Sequence, residues 1–183
     1  MLDTDRSQWA RARAAGGDSA GDDIGELMIG VISDTHGLLR PEALAALAGS
    51  QAIIHAGDVG DPAILDALAE IAPIFAVRGN VDRGRWADAL PSTRIVEFER
   101  HSIYVLHDLG ELDLDPAGAE FHAVISGHSH RPAIERKRGV LYFNPGSAGP
   151  RRFRLPITLG RLTDSETGLQ AEIVDLSTIA MNK

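Results

Sequence analysis

Five short segments carry side chains able to bind metal ions or move protons. They are Asp34-Thr35-His36, Asp58 within "HAGDVGD", Asn80 within "RGNVD", His107-Asp108, and Gly127-His128-Ser129-His130. Each follows an apolar run of the length of a buried strand. In a sheet of parallel strands with helical crossovers, ligands collect at the carboxyl ends of the strands. That topology would bring the five segments to one edge. Carboxylate, amide and imidazole donors without sulfur suit Mn²⁺, Fe²⁺, Co²⁺, Ni²⁺ or Zn²⁺ better than Ca²⁺. Residues two apart in an extended segment point the same way, so Asp34 with His36, and His128 with His130, read as paired donors. The two oxygens of Asp58 can bridge two cations, which one imidazole cannot do. Taken singly, each segment also reads as an ordinary cap or turn. Their joint occurrence in order, each behind a strand, carries the weight.

The elements that must position these residues alternate along the first half of the chain. "LMIGVIS", "AIIHAG" and "PIFAVRG" read as strands. A helix over "RPEALAALAG" has Pro41 in its first turn and Gly49 past its end. A second over "DPAILDALAEI" is capped by Asp61, with Pro62 following. This β-α-β-α-β series implies parallel strands. Beyond it, "TRIVEFERHSIYVLHD", "PAIERKRGVLYFNPGS" and "ITLGRLTDSETGLQAEIVDL" read as hairpins, with "FHAVISG" a buried strand between the first two. The second half is therefore expected to be mostly antiparallel. His101 is placed in the first hairpin's turn and His122 at a strand edge near the surface.

Composition narrows the function classes. A chain of 183 residues with 44% hydrophobic and 24% charged residues fits one soluble domain. A net charge of −8 argues against a general nucleic-acid or acidic-membrane binder. There is no cysteine, so thiolate sites and disulfides are excluded. No apolar run approaches the ~20 residues of a membrane helix. Residues 1–27, with six acids and three bases, read as a disordered or loosely docked extension before a single domain over 28–183. Trp9 is the one feature there that favours docking. The extension has no apolar signal core, so a cytoplasmic location is expected.

The ordered set "SDTHG", "GD", "GN", "LHD", "GHSH" resembles the signature of the calcineurin-like metallophosphoesterases. The short length, "IIHAGDV", "RGNVD" and "YFNPGS" are similar to the small bacterial and archaeal phosphodiesterases of the YfcE type. The likeness spans residue 28 to about 176. It implies an α/β fold, a four-layer α/β/β/α sandwich of two mixed sheets flanked by helices. By position it implies Asp34, His36 and His130 on one metal ion, Asn80, His107 and His128 on a second, and Asp58 between them. Asp58, Asn80 and His128 are then the residues at the reacting centre. The implied cofactors are two divalent transition-metal ions, manganese first, with iron, nickel or zinc as alternatives. The implied reaction is hydrolysis of a small phosphodiester by a metal-bridging hydroxide. A non-catalytic scaffold like the retromer subunit of this fold, and a nuclease, are the alternatives. The likeness is compatible with a homo-oligomer but leaves the oligomeric state open; membrane and nucleic-acid partners are not expected.

One position departs from the superfamily. Many members carry His after the Gly-Asn pair, where it protonates the leaving alcohol. Val81 stands there, as in the YfcE-type branch, so acidic leaving groups should be favoured. Nearby candidates each have two readings. Asp82 could pair with a ligand imidazole or cap the segment "RGRWADAL". His55 could support Asp58 or simply face inward. Arg78, with Arg83 and Arg85, could reach a phosphate or be solvated. Asp108 could orient His107. The clusters "ERKRG" and "PRRFR" read as solvated, and Asn144–Ser147 as a tight turn near the site.

Overall fold

The computed structural model describes residues 27–180. The expected extension, with Trp9, lies outside these residues except for Leu27, which packs against the central core. The chain runs β1 (Met28–Ile32), α1 (Pro41–Leu47), β2 (Ala52–His55), α2 (Pro62–Ala69), β3 (Ile74–Ala76), α3 (Arg85–Asp88), β4 (Thr93–Phe98) and β5 (His101–Leu106). Then follow β6 (Ala123–Ile125), β7 (Ala133–Lys137), β8 (Val140–Asn144), β9 (Thr158–Ser165) and β10 (Gly168–Asp175). Two five-stranded sheets form, in the orders β10-β9-β1-β2-β3 and β4-β5-β6-β8-β7.

Strand alternation explains the layering. Ile29, Val31, Ala52, Ile54 and Phe75 leave the first sheet on one side and meet Ile103, Val105, Ile125, Leu141 and Phe143 of the second. Apart from Ala52, each such side chain contributes roughly 1.5–3 kcal/mol on burial. The opposite face of the first sheet sends Ile32 and Ile53 against Ala43, Leu47, Ile64 and Leu68 of α1 and α2. These helices are too short to persist alone, so this contact holds them. Their starts match the sequence pattern: Pro41 and Pro62 sit in the first turns, and Asp61 accepts the Ala63 N–H at 2.9 Å. On the far face of the second sheet, Tyr104, Leu106, Val124 and Val140 meet Leu112, Leu114 and Phe121. That outer layer is an irregular segment with one 3₁₀ turn, Leu109–Glu111. Among the described residues no helix is long and apolar enough to cross a membrane.

The second half of the chain is less antiparallel than its pattern suggests. β5 pairs with β6, and β6 with β8, in parallel. A period of two is the same for either direction, so the alternation could not tell them apart. The parallel pairs make the ends of β5 and β6 point the same way. His101 is also displaced from its expected turn. Glu99 and Arg100 make the turn, with φ +51° at Glu99. His101 opens β5, nearly buried, with Nε2 2.8 Å from Asp164 Oδ1 on the other sheet. The pairing between sheets overrides the local preference. His122 is exposed, as expected, with Nδ1 accepting the Ser102 N–H.

Sheet-to-sheet spacing depends on one small residue. A Cβ on Gly160 of β9 would lie 2.2 Å from Cζ of the buried Phe143 ring. Gly160→Ala should therefore cost about 1–3 kcal/mol in urea unfolding, with Phe143→Leu in the same chain restoring part of the loss.

Candidate metal centre

All five sequence segments reach one edge of the two sheets. Backbone hydrogen bonds tie them together: Asp34 N–H to Gly57 O, His36 N–H to Asp58 O, and Gly127 N–H to His107 O. The extended-segment argument for Asp34 with His36 and for His128 with His130 does not hold. Asp34, His36, Asp58, His128 and His130 all have positive φ, between 46° and 67°. They are five of nine such non-glycine residues in the described chain. Left-handed bends, not strand alternation, turn these side chains inward, at a cost of about 1–3 kcal/mol each.

Donor atoms about 2.1 Å from one cation lie roughly 3–3.5 Å from each other. Nε2 of His130 lies 3.2 Å from Asp34 Oδ1 and 3.2 Å from His36 Nε2. Nε2 of His107 lies 3.4 Å from Asp58 Oδ2 and 3.0 Å from Asn80 Oδ1. Nδ1 of His128 lies 3.1 Å from the same Asn80 oxygen. Asp34, His36 and His130 form one group able to hold an ion, and Asp34, Asp58 and His107 another. Asp58 Oδ2 faces both sides, 3.8 Å from His36 Nε2.

The donor chemistry fits a cation. Asp34 Oδ1 is buried without a hydrogen-bond partner, whereas its Oδ2 accepts from Ser33 Oγ and the His128 N–H. A cation would satisfy such an oxygen. Nδ1 of His107 lies 2.7 Å from Ala56 O, which accepts its proton, so that the ring when neutral turns its Nε2 lone pair to Asp58 and Asn80 and when charged donates there. Asp34 and Asp58 are almost wholly buried, while Asn80 and His128 are exposed, so the group opens to solvent on their side.

Electrostatics follow from this burial. Burial lifts Asp34 from 3.8 to about 6. For Asp58 burial also pushes upward, but the hydrogen bond from His107, the Val81 N–H and the neighbouring imidazoles outweigh it, and the net shift is down. His107 moves up, because Asp58 and Ala56 O favour its charged form more than burial opposes it. Burial lowers His36, and burial with Arg152 takes His130 to about 4. Two neutral imidazoles beside carboxylates are the protonation states that a metal requires.

The supporting residues differ from several expectations. Asp82 pairs with no imidazole and does not cap α3, whose N-terminal flank is Gly84. It is fully buried and accepts the Gly60 and Gly79 N–H groups, each at 2.8 Å, which ties the Asp58 loop to the Asn80 loop. Gly79 allows this close approach, since a Cβ there would sit 2.0 Å from Asp58 N. His55 is buried and held neutral by that burial, with its pKa near 3. Its Nε2 lies 3.0 Å from Thr35 Oγ1, which donates to Val59 O, so it supports the two carboxylate loops from behind. The Arg78 guanidinium pairs with Asp88 at 3.0 Å and donates to Asp82 O, and Arg83 donates to Asn80 O. Both brace their loop. Asp108 turns away from His107 to lie 3.6 Å from His128 Nε2.

Two features escaped the sequence. Arg152 of "PRRFR" is not merely solvated: its Nη2 lies 3.3 Å from His36 Nε2. Its charge cluster was the available signal, but nothing local told which arginine would turn inward. "NPGS" does more than turn. Asn144 Nδ2 donates to Gly127 O, and Ser147 Oγ to Asp34 O at 3.0 Å, bracing two ligand loops at once.

Residues 27–167 match the calcineurin-like phosphoesterase superfamily domain. The chain belongs to that superfamily. It is 36% identical over 162 residues to a "probable metallophosphoesterase" of Methanothermobacter thermautotrophicus, covering 81% of this chain and 92% of the relative. A solved archaeal phosphodiesterase superposes with a TM-score of 0.68 at 23% identity, over 81% of this chain and 100% of that one. Vps29 of Chaetomium thermophilum gives 0.65 at 22% identity, over 81% and 97%. At these identities the two structures speak to the fold alone.

The raised Asp34 carboxyl yields a test. Its folded value of about 6 exceeds the ordinary 3.8, so the metal-free fold loses stability as pH rises from about 4 through 6. In chelator-treated protein at pH 8, Asp34→Asn should gain about 2–3 kcal/mol in urea unfolding, and less at pH 5. The same variant should bind Mn²⁺ far more weakly than the parent.

Proposed function

We propose that the protein is a phosphodiesterase working with two divalent metal ions. The observation that supports this reading most directly is the convergence of Asp34, Asp58, His36, His107 and His130, with Asp34 Oδ1 buried and unpartnered. Asp34, His36 and His130 would hold one ion, Asn80, His107 and His128 the other, with Asp58 facing both. The mixed oxygen and nitrogen set suits a divalent transition metal; the likeness to the YfcE-type phosphodiesterases puts manganese before iron, nickel or zinc. Such ions supply the positive charge that activates water and neutralises phosphoryl oxygens.

The chain's own groups orient that chemistry. The Val81 N–H donates to Asp58 Oδ1 at 2.9 Å and fixes the carboxylate so that Oδ2 points into the site. Arg152, beside His36, offers a guanidinium to a phosphoryl oxygen. The exposed side at Asn80 and His128 admits substrate. Val81 is 40% exposed, and its side chain cannot donate a proton. Asp82 faces the other way. A diester with an acidic leaving group departs without help, which favours such substrates. The full donor set favours turnover over a purely structural role, and the acidic chain favours a small diester over a nucleic acid.

Mn²⁺-loaded protein should hydrolyse bis(4-nitrophenyl) phosphate, and chelation should abolish this. Asp58→Ala should lower kcat/KM by about a thousandfold or more. Parental activity in that variant would overturn the reading. Across a series of aryl and alkyl diesters, rates should fall steeply with rising leaving-group pKa. Val81→His should flatten that slope and raise the poorest substrates by about 10²-fold.

A further inference from the structure

Beside the metal centre lies a second concavity of about 230 Å³ that the reaction as derived does not use. Its mouth is formed by His128 and Asp108, and it extends over the outer face of the second sheet to Leu109, Ala133, Glu135 and Tyr142. The register explains the wall. Ala133 opposes Asn144, Glu135 opposes Tyr142 and Lys137 opposes Val140, so these side chains share one face of β7 and β8. Ala133 is the small residue in that row and leaves the hollow. Leu109, 40% exposed, stands on the other side, in the segment that begins at Asp108.

Charge and size limit what this hollow can take. Its lining includes two acids, Asp108 and Glu135, and two bases, Arg131 and Lys137. Lys137 is paired with Glu135 at 2.6 Å and lies 5.3 Å from the Tyr142 ring centre. The lining is thus near neutral, unlike a second phosphate site. A Tyr ring and a Leu side chain suit a flat apolar group. The volume suits one ring system, not a polymer. The position decides the role: Nδ1 of His128 faces Asn80 while its Nε2 faces Asp108 at the mouth, so the hollow begins where a bound phosphoryl group would end.

We propose that this hollow is a specificity subsite for a neutral, planar ester substituent of the substrate, an aryl or nucleoside-like group, held between Leu109 and Tyr142. The proposal rests on the reading of the adjoining centre as a phosphoester site. Substrates with a flat substituent are then preferred over those with a small alkyl group, whatever the leaving group.

Binding tests this apart from catalysis. Mn²⁺-loaded protein is titrated calorimetrically with phenylphosphonate and with methylphosphonate, neither of which can be hydrolysed. The parent should favour the phenyl compound by at least about tenfold. Ala133→Leu, which fills the hollow, and Leu109→Ala, which removes a wall from an exposed loop, should each bring the ratio towards one. The retained-group preference, phenyl 4-nitrophenyl phosphate over methyl 4-nitrophenyl phosphate, should collapse in parallel. Equal affinity in the parent, no binding of either compound, or a ratio that survives both variants overturns the subsite. A phenyl preference that Ala133→Leu and Leu109→Ala remove, in a parent that hydrolyses no diester, leaves the subsite standing and overturns the hydrolase reading instead.

Discussion

Two carboxylates buried side by side govern this structure. Asp34 and Asp58 lie at the edge of an apolar seam, almost out of contact with water. Like charges in such a place repel, and each loses its hydration. The surroundings answer with oriented donors: Ser33 and the His128 N–H on Asp34, the Val81 N–H and His107 on Asp58. Asp34 Oδ1 is left without one. The site is therefore under-compensated by protein alone, a deficit that a cation would offset.

Holding that arrangement requires both sheets. The first contributes the loops after β1, β2 and β3, and the second those after β5 and β6. Parallel pairing of β1 with β2, β2 with β3 and β5 with β6 sends each set of loops one way. The inter-sheet core then fixes one set against the other. Several residues whose side chains never enter the centre lock the loops: Asp82 joins two of them, His55 and Thr35 a third contact, and Asn144 with Ser147 two more. Left-handed backbone at five donor positions is tolerable because these bonds over-determine the loops. The outer face of β7 and β8, in the sheet that also carries β5 and β6, supplies the hollow beside His128, so the hollow and the candidate metal centre share one scaffold.

Much of this was legible beforehand. The βαβαβ order, Pro41 and Pro62 in their first turns, and Asp61 as a cap all follow from local chemistry, and local chemistry survived folding. The donor segments were legible because each followed a strand. The misplaced details share a cause. His101 looked like a turn residue until Asp164, distant in sequence, drew it into β5. Asp82 looked like a cap until two backbone N–H groups from separate loops claimed it. Arg152 looked solvated until its loop lay on His36. In each, a partner far along the chain decided the outcome.

The sequence by itself determined which atoms could meet a cation and that no thiol would be among them. It also determined that position 81 can offer no side-chain proton, because a valine has none in any fold. Only the tertiary structure decided how the donors turn inward, through positive φ rather than strand alternation. It alone decided that β6 lies parallel to its neighbours and that Ala133 opens a hollow beside His128. Composition and spacing fix chemical capacity residue by residue. Direction, burial and neighbourhood depend on contacts between segments that the sequence keeps far apart.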